Sequence, residues 1–234
     1  MEVNEHRSAP RPPSEILESA ASMTSPRLAI KAASERQSAG RRPETPDEVL
    51  LALSEGNERF VRGETLAPHR NMTRLQEVAA LQSPFAVVLG CADSRVPVEI
   101  VFDQGFGDLF VTRIAGNVAT PEIIGSLEFA TLILGAKIIY VLGHTSCGAV
   151  TAAMKREPVP GQISSLFQYL RPAVKLSGND LDRAVRENVI NQAMTIAEAS
   201  PVIAALIDED RLKVAGGVYD LATGIVTNVP ITPG

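Results

Sequence analysis

Cysteine is scarce in this chain: Cys91 and Cys147 are the two that occur, and tryptophan is absent. Two thiols allow at most one cross-link, which excludes a scaffold stapled by several disulfides. The N-terminus lacks the apolar stretch of a secretory leader, so the thiols are expected to be reduced and the location cytoplasmic. Metal binding, catalysis or plain burial then become the roles open to the pair, with a disulfide as the remaining alternative. Histidine is nearly as rare. His6, His69 and His144 are the three, and of these His144 lies near a cysteine. His69 reads as a solvated loop residue rather than a catalytic one. No apolar run reaches the roughly 18 residues of a spanning helix, so no membrane partner is expected. Basic residues are outnumbered, 22 Lys and Arg against 27 Asp and Glu, for a net charge of −5. Nucleic acid is therefore not an expected partner, because its electrostatic footprint is a clustered basic surface.

What is present is ordinary globular material. Hydrophobic residues make up 45% and charged residues 21%, enough to build a core. The length suits one domain with an appended segment. Residues 1–44 form that segment: Ser, Ala, Pro and Arg dominate stretches such as SAPRPPSE and RQSAGRRPE, without sustained apolar periodicity. They read as a flexible N-terminal extension, with a short amphipathic helix within Ile16–Ala33 at most. A transit peptide shares the Ser and Arg content, but Glu2, Glu5, Glu15, Glu18 and Glu35 argue against one, since such peptides avoid acids.

The folded domain is placed at residues 45–234. Thr45-Pro46-Asp47-Glu48 carries an N-cap hydroxyl, a proline at N1 and a capping-box glutamate, and Gly63 supplies a stop. A second helix is expected over Thr73–Leu81. Phe85–Leu89 and Leu109–Thr112 read as buried strands. Thr120-Pro121-Glu122 opens a helix running to Gly135, and Lys137–Leu142 is the next strand, with a helix from about Ser146. Helical stretches follow at Ile163–Val174 and Leu181–Ala199. Leu212–Tyr219 and Ile225–Val229 look like a closing hairpin across Leu-Ala-Thr-Gly. Strands alternating with helices predict an α/β fold, a mostly parallel central sheet flanked by helices, with an antiparallel C-terminal hairpin or edge strand.

Cys91 and His144 each fall just past the C-terminal end of a predicted buried strand, where ligands gather in open α/β sheets. Cys147 follows in an H-x-x-C spacing that can turn both side chains onto one metal. Two thiolates and an imidazole suit zinc, and three protein ligands leave a fourth position open, as catalytic sites require. The bland reading stands beside this one: a cysteine at a strand end is most often a small buried hydrophobe, and a histidine after glycine can simply cap a loop. Asp93 and Arg95 add weight to the metal reading, because they place an acid and a guanidinium capable of a bidentate pair beside the ligands.

Cys91-Ala-Asp-Ser-Arg-Val96 together with His144-Thr-Ser-Cys-Gly-Ala-Val150 resembles the two signature blocks of β-class carbonic anhydrases. The resemblance runs from about Pro46 to Val229 and includes FGDLFVTRIAGN and GSLEFA between the blocks. It implies a zinc enzyme that reversibly hydrates carbon dioxide to bicarbonate. By position, it assigns Cys91, His144 and Cys147 to zinc and Asp93 and Arg95 to the catalytic dyad. It also makes Gln82 and the Gly148 amide substrate contacts, and Phe110 and Ala115 part of the apolar pocket, although these apolar residues also read as ordinary core. Zinc would acidify water for attack on carbon. Asp93 would orient that nucleophile, and Arg95 would hold Asp93 ionised and away from the metal. Phe129 stands where many members have a pocket tyrosine, and Ile114 replaces a frequent asparagine. Val88 stands where a regulated bacterial subset has a tryptophan. In that subset bicarbonate favours a state in which the aspartate leaves its arginine for the metal, and Arg113 matches an arginine of its bicarbonate pocket.

The resemblance also implies a homodimer or higher homo-oligomer, with N-terminal helices lying across the partner. Two rival activities share the motifs: hydrolysis of carbonyl sulfide or carbon disulfide at the same kind of zinc site, and non-catalytic zinc binding with Asp93 closing the coordination shell.

Overall fold

The first helix, α1 (Pro46–Arg62), begins with the local chemistry its sequence announces. Thr45 Oγ1 accepts from the Glu48 amide while the Glu48 carboxylate accepts from the Thr45 amide, a reciprocal capping box. Gly63 closes the helix in the left-handed conformation at φ 71°. Val49 and Leu53 face inward, and Asn57 adds three hydrogen bonds to them. Its amide donates to Val101 O and Gly224 O, and its carbonyl accepts from Val226 N. The structure is a computed structural model that describes residues 42–155 and 157–231. The expected extension lies outside the described residues up to position 41, as does the helix expected within Ile16–Ala33.

The elements that follow are α2 (Met72–Val78), β1 (Ala86–Gly90), α3 (Val98–Val101), β2 (Leu109–Arg113) and α4 (Pro121–Glu128). A π-helical turn at Phe129–Ile133 leads to β3 (Ile138–His144) and α5 (Gly148–Lys155). A 3-10 turn at Gly161–Leu166 runs into α6 (Phe167–Ser177). Then come α7 (Leu181–Ala199), α8 (Pro201–Asp208), β4 (Lys213–Tyr219) and β5 (Val226–Asn228).

The α/β expectation is met. The sheet has the order β2-β1-β3-β4-β5, parallel through β4, with β5 antiparallel at the edge. The expected hairpin exists, and its first strand is also an inner strand that pairs parallel with β3 from Ile138↔Lys213 to His144↔Tyr219.

Several bounds differ from expectation. The second helix ends at Val78 rather than Leu81. The helix expected to run to Gly135 changes pitch at Phe129, where the Thr131 hydroxyl donates to Leu127 O and Glu128 O and competes for the helix's own carbonyls. β3 runs on through Gly143 and His144, so His144 closes the strand instead of following it. Helix α8 was not foreseen. Ser200 caps it by accepting from the Ile203 amide and donating to Glu128 Oε1 at 2.6 Å, and Pro201 occupies its first turn. It leaves α7 at a 93° bend, and among the described residues no single helix is long and apolar enough to cross a membrane.

Strand alternation sorts the core onto two faces. Val87, Leu89, Ile139 and Val141 pack with the helices from α4 to α8, and Ala86, Val88, Ile138, Tyr140 and Leu142 pack with α1 and α3. Helix α7 lies hard against the sheet, because a Cβ at Gly143 or Gly216 would fall 2.7 or 2.5 Å from a Val189 methyl. From β1 the chain crosses to β2 on one side and then returns to β3 on the other. The crevice at their carboxyl ends is therefore the switch point where α/β sheets bind ligands. Cys91 follows β1 there, and His144 ends β3.

Candidate metal centre

Three side chains converge at the switch point. Cys91 Sγ, Cys147 Sγ and a ring nitrogen of His144 lie within 4.8 Å of one another, and all three residues are buried. Both cysteines are free thiols, so the disulfide alternative is not realised here. His144 Nδ1 sits 2.9 Å from Thr145 O, which makes Nδ1 the proton-bearing nitrogen. Nε2 is then a lone-pair donor, buried and without a hydrogen-bond partner. A buried acceptor normally has a partner. Two thiols and an orphaned imidazole nitrogen together fit a thiophilic metal ion.

The surrounding chain fixes each donor. Thr145 N donates to Tyr219 O, and the Thr145 hydroxyl accepts from the Leu221 amide, so β4 and its turn hold the carbonyl that orients the His144 ring. Cys147 precedes α5, and the amides of Ala149 and Val150 point at its sulfur. Cys91 receives the Gly116 amide at 3.3 Å. A hydrogen bond with Cys147 is the main influence lowering the Cys91 thiol, helped by the Gly116 amide, while burial works against it. The same contact and burial raise Cys147. The pair therefore gives up one proton readily and holds the second, until a cation joins them.

Asp93 and Arg95 stand at the rim. Arg95 Nε donates to Asp93 Oδ1 at 2.9 Å and Nη2 to Oδ2 at 2.8 Å. The Arg95 side-chain hydrogen bonds hold the Asp93 carboxyl well below the usual carboxylate range, against a smaller upward push from burial. Asp93 Oδ2 lies 3.9 Å from His144 Nε2, beside the cluster. Arg95 Nη2 also reaches Ser146 O at 3.5 Å, which joins the turn after β1 to the turn after β3.

The remaining expected residues divide. Gly148 opens α5 next to Cys147, is exposed, and has nothing within 4 Å of where a Cβ would be. Ala115 is half-buried in the loop after β2, a loop tied to the Cys91 turn by Ile114 N to Gly90 O and Ala92 N to Ile114 O. Phe110 packs on Phe129 with ring centroids 6.4 Å apart, and Phe129 stays 47% exposed. Gln82 is exposed on the segment before β1, and among the described residues it has no hydrogen bond to the cluster. His69 is not the solvated residue expected. Its Nδ1 contacts Asp108 at 2.7 Å, and its carbonyl accepts from Phe106 N.

Sequence reasoning missed how the centre is braced, the role of Arg113 in it included. Arg113 donates from Nε to Cys91 O at 3.0 Å and from Nη2 to Asp93 O, clamping the turn from the end of β2. Gly116 offers its amide to sulfur only because it sits at φ 77°. The Ala-Gly-Asn triplet after β2 was the available signal for that turn.

Comparison with known proteins agrees with this geometry. The carbonic anhydrase family model matches residues 86–226. Carbonic anhydrase 2 of Mycobacterium tuberculosis is 39% identical over 76% of this chain and 90% of its own length. The carbonic anhydrase of Mycolicibacterium smegmatis is 38% identical over 77% of this chain and 92% of its own. A solved structure of the Coccomyxa β-carbonic anhydrase in complex with acetazolamide is 28% identical, with a TM-score of 0.60 over 77% of this chain and 84% of that one. In sequence, in fold and in the convergence of its buried donors, the chain belongs to the β-carbonic anhydrase family.

Proposed function

We propose that this chain hydrates carbon dioxide reversibly to bicarbonate, with zinc held by Cys91, His144 and Cys147. The observation that carries the reading is the orphaned Nε2 of His144, buried between two free thiols and flanked by a carboxylate already gripped by arginine. Zinc supplies the acidity that makes water a nucleophile at mild pH. Two thiolates cancel its formal double charge, so the acidification is weaker than at an all-imidazole site.

The chain's own residues do the rest. Asp93, kept ionised by Arg95, accepts a hydrogen bond from the attacking water and aims its lone pair at carbon. The Gly148 amide, at the start of α5 beside Cys147, receives a product oxygen. Phe110 and Ala115 line the apolar side, and Gln82 contributes a donor to bicarbonate. The hold of Arg95 on both carboxylate oxygens supports an open catalytic position over a site closed by Asp93.

The active unit is a homodimer or higher homo-oligomer. The place of β2 at the edge of the sheet among the described residues and the exposure of Leu66, Met72, Leu75 and Phe106 support that reading.

Stopped-flow hydration combined with metal analysis tests the proposal. Zinc at one equivalent per chain, with hydration that disappears on chelation and is inhibited by acetazolamide, is the expected result. Zinc-loaded protein inert toward carbon dioxide over about pH 7–9 would leave a binding protein instead. Faster turnover of carbonyl sulfide than of carbon dioxide would move the assignment to the hydrolase.

A further inference from the structure

Helix α7 carries two amide side chains where its neighbours are apolar. Asn188 and Gln192 are 1% and 2% exposed, one turn apart, on the same face as Val185, Val189 and Ile196. Buried amides are costly unless satisfied, and an apolar residue would pack against the sheet at less cost. Their hydrogen bonds have a narrow set of destinations. Asn188 Nδ2 donates to Gly116 O at 2.9 Å, and Gln192 Oε1 accepts from Ala119 N at 2.8 Å. Gln192 Nε2 donates to Asn188 Oδ1 and to Tyr169 O, both at 3.0 Å, which ties the two amides to each other and to α6. Two of the partners thus belong to one short loop, the one after β2.

The residue Asn188 grips, with Gln192 bracing Asn188 and the same loop at Ala119, is the one whose own amide faces the donor cluster. Gly116 donates to Cys91 Sγ at 3.3 Å from a left-handed backbone at φ 77°. Its other side leaves little slack, since a Cβ there would meet Leu170 and Ala149 methyl carbons at 3.2 and 3.3 Å. The carbonyl of Gly116 is pinned from α7 and its amide is aimed at sulfur, so displacement at one end moves the other.

We infer that Asn188 and Gln192 are positioning residues for the Cys91 ligand, acting through the Gly116 amide they hold against its sulfur. This rests on the metal reading given above. An N–H donor on a thiolate withdraws charge from it, which sets how strongly that sulfur donates to a bound cation, and partners of this kind typically change metal affinity when removed.

The test uses the full chain carrying Asn188→Leu or Gln192→Leu, with Asn188→Ser and Gln192→Met as smaller changes should either leucine variant fail to fold. Three readouts are taken: zinc affinity by chelator competition, the thiolate-to-metal charge-transfer band after cobalt substitution, and amide exchange at Gly116 in the metal-free protein. The expected result is zinc binding weakened about 10- to 100-fold, a displaced charge-transfer band and faster Gly116 exchange. Wild-type affinity, an unmoved band and unchanged exchange, with thermal stability alone reduced, would make the pair a packing device and overturn the inference. Wild-type protein that takes up neither zinc nor cobalt would defeat the metal reading separately, and Gly116 exchange would still decide whether the amides hold the loop.

Discussion

Arg95 meets Asp93 side-on, with Nε on one carboxylate oxygen and Nη2 on the other. The Arg95 amide also donates to Oδ1 at 2.9 Å, so the residue holds its partner with backbone and side chain together. Both Asp93 oxygens are engaged, and one still lies 3.9 Å from the His144 nitrogen that faces the cluster. The carboxylate is thus held by arginine at the edge of the donor cluster.

Removing the guanidinium should release that carboxylate. In Arg95→Ala, hydration is expected to fall by about 100-fold, the scale of a misplaced catalytic group. Asp93 should turn toward the ligand cluster, which X-ray absorption of the zinc-loaded variant reads as an added oxygen ligand. Undiminished turnover would show that Asp93 needs no such restraint.

The three-donor set has no spare member. Cys147→Ser is therefore expected to lose zinc and hydration together, and to lower the melting temperature of the loaded protein, since metal binding is coupled to folding. Metal analysis, stopped-flow assay and thermal denaturation on one preparation check this. Full zinc occupancy with near-normal rate would remove Cys147 from the centre.

Val88 is fully buried and faces the α1 side of the sheet, where it cannot supply the indole N–H of the regulated relatives. Arg113, which matches their pocket arginine, is committed to the carbonyls of Cys91 and Asp93. The Asp93–Arg95 pair should then persist at neutral pH, with bicarbonate unable to break it. Activity is expected to rise smoothly through mildly alkaline pH as a single group ionises. Steep, cooperative loss below about pH 8, near the range in which zinc acidifies water, would contradict this.

Asp103 is fully buried, and burial by itself would raise its carboxyl. The Arg59 ion pair at 2.8 Å and the amides of Leu66 and Ala67 outweigh burial and hold it below the ordinary value. Its folded pKa is thus below the unfolded one of about 3.9. The stability it contributes is fully present above that pH and is lost as pH falls through the folded value. Asp103→Asn should cost roughly 2 kcal/mol at pH 7, the scale of a hydrogen bond to a buried charge, and less below pH 4. Denaturant titrations at the two pH values decide it. An equal loss at both would assign the effect to packing.

Arg42 donates to Ser83 O and to Ser83 Oγ, anchoring the chain just before the Thr45 cap. A chain beginning at Arg42 should stay folded and active, because the capping box and that anchor are retained. Circular dichroism, sedimentation and the hydration assay test it. Dissociation of an oligomer on truncation would mean that residues 1–41 span a subunit boundary.

Local signals were the legible ones. Thr45, Pro46 and Glu48 announce α1 because capping chemistry is contained within four residues. The convergence of the candidate donors was legible because buried strands ending in Gly-Cys and Gly-His place them at a sheet's carboxyl edge. The change of pitch at Phe129 depends on where the Thr131 hydroxyl turns, and α8 depends on a Ser200 cap shared with distant Glu128. Arg113, Gly116, Asn188 and Gln192 act across contacts that exist only once β2 and α7 have packed. No local pattern encodes such partners.

The strand order also sets a timetable for synthesis. Cys91 and His144 become neighbours only when β3 pairs with β1, and β2 is made between them and laid on the far side. At about 5–20 residues per second, Cys91 leaves the ribosome roughly 3–10 s before His144. During that interval β1 can pair with β2 alone, and the Cys91 thiol has no second donor beside it. Convergence of the three donors is therefore a late event that reports a completed crossover, and a chain stalled before His144 carries a solitary thiol open to oxidation.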